Sequence, residues 1–323
     1  GDCQGLNGAM YGLVKALNFN CKEKLEIYGI LEGYTGLING DYKKMKSEEF
    51  EGILNMGGSI LGNSRQPFKR INDADENGVT KLQSMIKNYK NMDLDCLVVL
   101  GGNGSHKTAN LLSEQGLNVV TLPKTIDNDI NGTEMTFGFQ SAIDIATRTL
   151  EELHTTAKSH KRIIIDEIMG NKAGFLTLYS GIAGEADIIL IPEIPYSIDK
   201  IVDFINKKLD EGRRHIIIAA AEGIISKEES KLTKKELKQK RATENYTSAA
   251  VYLEKKLSEK VHREIRAVVL GHIQRGGSPC AYDKVLTSRL GAKGAELILN
   301  KEYGKMVAVV NNEISSVPLS VAV

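Results

Sequence analysis

Short apolar, β-branched runs recur along the chain at Leu25–Leu31, Leu94–Leu100, Leu117–Leu122, Arg162–Ile165, Asp187–Ile191, His215–Ala219, Ile265–Leu270 and Met306–Val310. A helix-like run at Ala9–Asn18 precedes them, and between most of them lie stretches with helical spacing of apolar positions, at Gly78–Tyr89, Ser105–Glu114, Gln140–Thr156, Ile198–Glu211 and Ala281–Leu299. The strand-like runs are continuously apolar rather than alternating, which marks strands buried on both faces. Strand–helix alternation of this kind predicts an α/β fold built on doubly wound, largely parallel sheets. Ligands of such sheets sit beyond the carboxyl ends of strands. The loops that follow the strands are therefore where chemistry is expected.

One segment departs from the pattern. Ser226–Lys240 (SKEESKLTKKELKQK) has almost no apolar face and reads as a solvated helix or loop insertion, with a partner-binding element as the alternative. No short repeat is present. A long helix over residues 138–158 is expected to bridge two sheet domains.

Composition narrows the possibilities. A length of 323 residues suffices for two packed domains or one large elaborated one. A net charge of +1 leaves no global field for nucleic acid or an anionic membrane, so any anion site is local. The four cysteines, Cys3, Cys21, Cys96 and Cys280, lack metal or disulfide spacing and fit reduced thiols of a cytosolic protein. No apolar run approaches the ~18 residues that span a bilayer. The chain opens at Gly1 inside a glycine-rich stretch; residues are expected to precede it, and targeting is not judged from this end.

Four loops carry candidate chemistry. GDCQGLNG (Gly1–Gly8) leads into a helix, where glycines let backbone N–H groups approach a phosphate; the same glycines also make plain tight turns. GGNGSHKT (Gly101–Thr108) follows a strand and opens a helix. It nearly spells a P-loop, but His106 stands where that motif requires glycine, which disfavours a P-loop NTPase. Gly101, Gly102 and Gly104 are read as close backbone contacts to phosphate. PKTIDND (Pro123–Asp129) also follows a strand. On an extended backbone Asp127 and Asp129 would point to one side. Two such carboxylates need a cation or a proton to coexist, and Lys124 or a metal can supply the charge. Thr125 adds a hydroxyl. A carboxylate that takes a hydroxyl proton, amid positive charge, is what phosphoryl transfer requires; an Asx-rich turn is the plainer alternative. GHIQRGGSP (Gly271–Pro279) places His272 near Arg275, a pairing suited to a phosphate monoester. Arg266, in the preceding strand run, is expected to reach a strand end and an anionic ligand. Arg65, Arg162 and Glu222 are weaker candidates; each type is commonly a surface ion-pair partner.

Together these stretches, with EIMGNKAG, GIAGEADIILIPE and AAAEG, resemble the 6-phosphofructokinase family from Gly1 to about Asn311, in the same order. The resemblance implies two doubly wound domains with the active site in the cleft between them. Residues 1–138 plus about 255–300 would bind the phosphoryl donor. Residues 139–254 plus the C-terminal segment would bind fructose 6-phosphate. It implies that Asp127 is the general base for the 1-hydroxyl, with Thr125, Asp129, Lys124 and Arg65 in the catalytic set. Thr125, Ile126, Asp127, Arg162, Met169, Gly170, Asn171, Glu222, Arg266, His272 and Arg275 would contact the sugar phosphate. Gly1, Tyr34, Arg65, Gly102, Asn103, Gly104 and Ser105 would face the donor, and Asn103 falls at the family's Mg²⁺ position. Arg162 and Arg266 would reach across a subunit contact, implying a homo-oligomer, dimer or tetramer.

This sequence departs from the family pattern at points that matter. Asn103 replaces an aspartate, so it brings no charge to a metal. Asn171 replaces an arginine. Tyr11 and His154 stand where basic effector-site residues are usual, arguing against control by ADP. Gly104 follows the ATP-dependent pattern and Lys124 the pyrophosphate-dependent one. Because access governs donor entry, the expectation is an ATP- and Mg²⁺-dependent 6-phosphofructokinase, cytoplasmic, with no nucleic-acid or membrane partner. A pyrophosphate-dependent enzyme and a non-catalytic sugar-phosphate-binding subunit are the alternatives.

Overall fold

The strand–helix alternation organises into two units in the computed structural model, which describes residues 2–323. One unit takes the chain up to Ser141 together with Arg275–Val323; the other is Ala142–Gln274.

The first unit runs α1 (Leu6–Asn20), β1 (Ile27–Ile30), α2 (Tyr34–Asn39), β2 (Tyr42–Met45), α3 (Lys81–Asn91), β3 (Leu97–Gly101), α4 (Asn103–Glu114), β4 (Val119–Thr125) and β5 (Phe137–Gly138). Helix α5 (Phe139–His160) then carries the chain into the second unit, which holds β6 (Ile163–Ile168), α6 (Phe175–Ala183), β7 (Ile188–Leu190), α7 (Ile198–Asp210), β8 (Ile216–Ala221), α8 (Lys234–Thr243), α9 (Ala249–Ser258) and β9 (Ile265–Val269). The return to the first unit adds α10 (Ala281–Leu299), β10 (Lys305–Val310) and β11 (Glu313–Pro318).

In the first unit the sheet order is β11-β10-β4-β3, with β5 also paired to β4. β3, β4 and β10 are parallel, and every residue of β4 is buried, as a central strand covered on both faces demands. Leu97, Val99, Ala109, Leu112, Val119, Met306 and Ala308 form the core on one side. On the other, α1 meets α10 backbone to backbone: a Cβ at Gly291 would lie 2.4 Å from the Leu13 nitrogen. β1 and β2 form a separate antiparallel pair. A cavity of about 580 Å³ lies between β1 and β3, lined largely by apolar residues of α1 and the two strands.

The second unit has an all-parallel sheet in the order β7-β8-β6-β9. Ile163, Ile165, Ile216 and Ile218 pack one face against Ile201 and Ile205 of α7 and Leu253 and Leu257 of α9. Helix α6 covers the opposite face, where a Cβ at Gly181 would press on Ile189 and Ala219.

Two sequence expectations, both of domain bounds, need correction, and the sheets are largely parallel as expected. The C-terminal segment sits with the first unit rather than the second, because β10 pairs with β4. Residues 255–274 sit with the second rather than the first, because β9 pairs with β6. The sheets are not purely parallel: β10 and β11 form a hairpin whose turn residues, Asn311 and Asn312, both have positive φ, the backbone a tight two-residue hairpin turn needs. The charged insertion leads into the exposed helix α8, whose Arg241 binds the buried Glu229 carboxylate at 3.0 Å and donates to the Ile224 carbonyl at 2.9 Å.

Candidate active site

Strand β3 ends at Gly101, and Gly102 caps α4. The first turn of α4 therefore presents unpaired N–H groups and the positive end of the helix dipole. The space around this turn is uneven. A Cβ on Gly102 would stand 3.4 Å from the Lys124 carbonyl oxygen, whereas a Cβ on Gly104 would meet nothing within 4 Å. Tyr34 donates its hydroxyl to the Ser105 carbonyl at 2.9 Å, and burial raises its pKa, so it stays a donor. His106 is buried with no hydrogen bond to either ring nitrogen. Burial first, and then the Lys124 ammonium, push its pKa down to about 4, so the ring is neutral. It fills space behind the helix turn, where a wrapped P-loop would need glycine.

Strand β4 runs on to Thr125, so Lys124 and Thr125 are buried strand residues rather than loop residues. Beyond it the loop is held by its own polar groups. Thr125 Oγ1 accepts from the Asp127 N–H at 3.1 Å. Asn128 adopts a positive φ of 51°. Its Oδ1 accepts from the Thr136 N–H at 2.8 Å and the Thr136 hydroxyl at 3.1 Å, and its Nδ2 donates to the Glu134 carbonyl at 3.1 Å. The left-handed residue between Asp127 and Asp129 removes the extended backbone on which their alternation was argued. Asp129 is instead gripped from α4: Asn103 Nδ2 donates to Asp129 Oδ2 at 2.9 Å and to the Asp129 carbonyl at 3.2 Å. Burial raises the Asp129 pKa, with its own backbone, Lys124 and Asn103 opposing the shift. The glycine turn and the acidic loop are thus joined within one unit.

In the second unit the loop after β6 is shaped by two acceptors. Glu222 Oε1 accepts from the Gly170 N–H at 3.2 Å and the Asn171 N–H at 2.7 Å, and Gln274 Oε1 accepts from the Met169 N–H at 3.2 Å. Asn171 takes a φ of 54°, and a Cβ on Gly223 would stand 2.0 Å from its carbonyl oxygen. Gln274, between His272 and Arg275, is a positioning residue that no motif spacing marks. His272 is exposed and Arg275 half-buried.

Arg162 and Arg266 meet elsewhere. Both bind Glu264, Arg162 through Nε at 2.6 Å and Arg266 through Nη2 at 2.5 Å. They stand at the amino-terminal ends of β6 and β9, roughly 20 Å from the loop after β6 at ~3.3 Å per strand residue. Arg266 is exposed on the edge strand β9, so the expectation of a buried charge reaching a strand-end ligand fails there.

Of the remaining candidates, Ile126 is buried, Arg65 lies exposed in the loop after β2, and Gly1 lies outside the described residues. Among the described residues no group of three or more His, Cys, Asp or Glu side chains is poised to hold a metal ion. The Asn103–Asp129 pair offers one carboxylate and one amide. Mg²⁺ commonly uses one or two carboxylates plus substrate phosphates and water, and that donor set fits.

A family profile described as Phosphofructokinase matches residues 1–298. The chain is 48% identical over 322 residues to an ATP-dependent 6-phosphofructokinase of Spirochaeta thermophila, covering 99% of this chain and 87% of that one. It is 41% identical to ATP-dependent 6-phosphofructokinase 3 of Bacteroides thetaiotaomicron, covering 99% and 89%. Among solved structures it resembles phosphofructokinase from Saccharomyces cerevisiae with a TM-score of 0.81 at 29% identity, over 99% of this chain and 44% of that one. It also resembles a pyrophosphate-dependent phosphofructokinase from Marinobacter aquaeolei, with a TM-score of 0.80 at 19% identity over 100% and 81%, a likeness of fold alone.

Proposed function

The chain belongs to the phosphofructokinase family, and from that premise we propose that it is an ATP-dependent 6-phosphofructokinase. It moves the terminal phosphoryl group of ATP to the 1-hydroxyl of fructose 6-phosphate, giving fructose 1,6-bisphosphate and ADP. One observation carries this reading: the glycine-lined start of α4 and the Asp127-bearing loop after β4 are tied together by the Asn103–Asp129 hydrogen bonds. That pairing sets the start of α4 beside the Asp129 carboxylate, which supports the reading.

In this reading Asp127 takes the proton of the 1-hydroxyl as the alkoxide attacks. Thr125 holds the turn that carries it. Lys124 and Arg65 offset charge on the phosphoryl group in transfer. Gly102, Asn103, Gly104 and Ser105 receive the donor, with Tyr34 fixing the Ser105 carbonyl. Asp129, with the Asn103 amide, would hold Mg²⁺, which offsets phosphate charge when bound. Ile126, Met169, Gly170, Asn171, His272 and Arg275 address the sugar phosphate, and Glu222 fixes the loop among them. Arg162 and Arg266 lie at the opposite strand ends, which supports a reading in which they serve the sugar phosphate of a second copy of the chain in a homo-oligomer. The four free thiols support a cytoplasmic location.

Lys124 favours a second reading, with pyrophosphate as donor. A coupled assay with fructose 6-phosphate and Mg²⁺, run with each donor, separates the two. Turnover with ATP is expected; turnover with pyrophosphate alone would overturn the choice. Sugar-phosphate binding with neither turnover would indicate a non-catalytic subunit.

A further inference from the structure

The loop that carries Arg65 is fastened by the side chains on either side of it. Ser64 donates its hydroxyl to the Glu32 carbonyl at 2.6 Å. That uses its one proton, so the 2.5 Å contact between Thr35 Oγ1 and Ser64 Oγ has Thr35 as donor. Thr35 Oγ1 in turn accepts from Gln66 Nε2 at 3.0 Å. Gln66 Oε1 accepts from the Lys81 ammonium at 3.5 Å, which sets the amide's orientation. One directed chain therefore runs from Lys81 through Gln66, Thr35 and Ser64 to the Glu32 main chain. Glu32 also donates its N–H to the Leu61 carbonyl at 2.8 Å, at the near end of the same loop. Pro67 follows Gln66 and biases Gln66 to extended backbone. Arg65 itself is exposed, so its placement falls to these neighbours. Thr35 is the middle link and binds both flanks of Arg65. The residue before it, Tyr34, holds the Ser105 carbonyl at 2.9 Å, so the first turn of α2 is tied to two separate segments.

We propose that Thr35 is a positioning residue that holds Arg65 in place for the phosphoryl group in transfer. The proposal rests on the proposed function for what Arg65 does; the fastening of the loop is independent of turnover. Without the Thr35 hydroxyl, Ser64 and Gln66 lose their common partner, and the segment around Arg65 opens more often. Charge offset by a guanidinium counts mainly in the transition state, so its loss shows in kcat rather than in the sugar-phosphate KM.

The test uses the full chain and two readouts. The first is native-state tryptic cleavage after Arg65, followed by mass spectrometry, which reports how often the loop opens. Thr35→Val is expected to be cut there about tenfold faster than the parent, the scale of one to two net hydrogen bonds. Thr35→Ser restores the hydroxyl and should be cut at close to the parent rate. Ser64→Ala breaks the chain from its other end and should open the loop in the same way, which keeps the test sharp if the valine variant folds poorly. The second readout is steady-state kinetics with fructose 6-phosphate and ATP. Thr35→Val is expected to lower kcat about tenfold or more, with the fructose 6-phosphate KM within about twofold, and Thr35→Ser to recover most of the loss. In an Arg65→Ala background Thr35→Val should cost nothing further, since it acts through that side chain; a merely structural threonine predicts the same loss in both backgrounds. Unchanged cleavage in Thr35→Val and Ser64→Ala, or a full additional loss in the Arg65→Ala background, would overturn the proposal. No turnover by the parent, alongside the expected cleavage pattern, would count against the proposed function and leave the fastening of the Arg65 loop by Thr35 standing.

Discussion

Asn128 is the residue through which the fold most directly positions the acidic loop, and its replacement has a calculable cost. It stands in the left-handed region at a φ of 51°, where a side chain other than Asn or Asp costs about 1–2 kcal/mol. Its side chain also satisfies the N–H of Thr136, a fully buried residue, at 2.8 Å. Stranding that group costs about 1–3 kcal/mol. Asn128→Ala combines both effects, for a total of about 2–5 kcal/mol. Asn128→Gly relieves the strain but still strands the N–H, for about 1–3 kcal/mol. For a unit of this size 1 kcal/mol moves an unfolding midpoint by about 2–4 °C. At a central cost of about 3 kcal/mol the alanine variant should melt about 6–12 °C lower, with the glycine variant between it and the parent. Displacing Asp127 by an ångström should also lower kcat about a hundredfold. Calorimetric scans and steady-state kinetics of both variants check this. Equal midpoints for alanine and glycine, or an alanine variant as stable and active as the parent, would refute the reasoning.

Two further outcomes follow from the same geometry. Gly104→Asp should fold normally, since a Cβ there meets nothing within 4 Å, yet ATP turnover should fall sharply because the side chain enters the donor turn; an unchanged KM for ATP would contradict this. Below about pH 6.5 the second unit should lose stability. His215 has its pKa lowered from 6.5 by burial first, then by Arg213, His154 and Lys158 against the opposing Asp187. A folded-state pKa below the unfolded one means the unfolded chain binds the extra proton first, so stability present above pH 6.5 is lost as pH falls. His215→Gln should flatten the dependence of the melting midpoint between pH 7 and 5; an unchanged slope would count against the assignment.

The sequence made the repeating parts of the fold legible and left the tertiary parts obscure. The continuous apolar runs, such as Val119–Leu122 and Ile163–Ile165, are strands because only two-sided burial tolerates them. Helix α6 shows no helical period in sequence because FLTLYSGIA is apolar almost all round. The unit to which the C-terminal segment belongs is not legible in sequence, because strand order depends on pairing between distant residues such as Met306 and Thr121. In the candidate site, residue types and order were readable from PKTIDND and GGNGS. Their geometry was not: the left-handed Asn128 undid the alternation of Asp127 and Asp129, and the anchoring residues Thr136 and Gln274 lie 8 and 105 residues from the groups they hold. Arg266 shows the same limit, since edge exposure cannot be told from burial by its apolar neighbours alone.

The assignment of Asp127 as the group that deprotonates the sugar hydroxyl is tested most directly by pairing single-turnover kinetics with calorimetry on Asp127→Asn. The substitution keeps shape and leaves the Thr125–Asp127 turn intact. Fructose 6-phosphate should bind within a few-fold of the parent while phosphoryl transfer slows by about two to four orders of magnitude. Transfer at a near-normal rate, with binding intact, would show that the proton leaves by another route and would contradict the account.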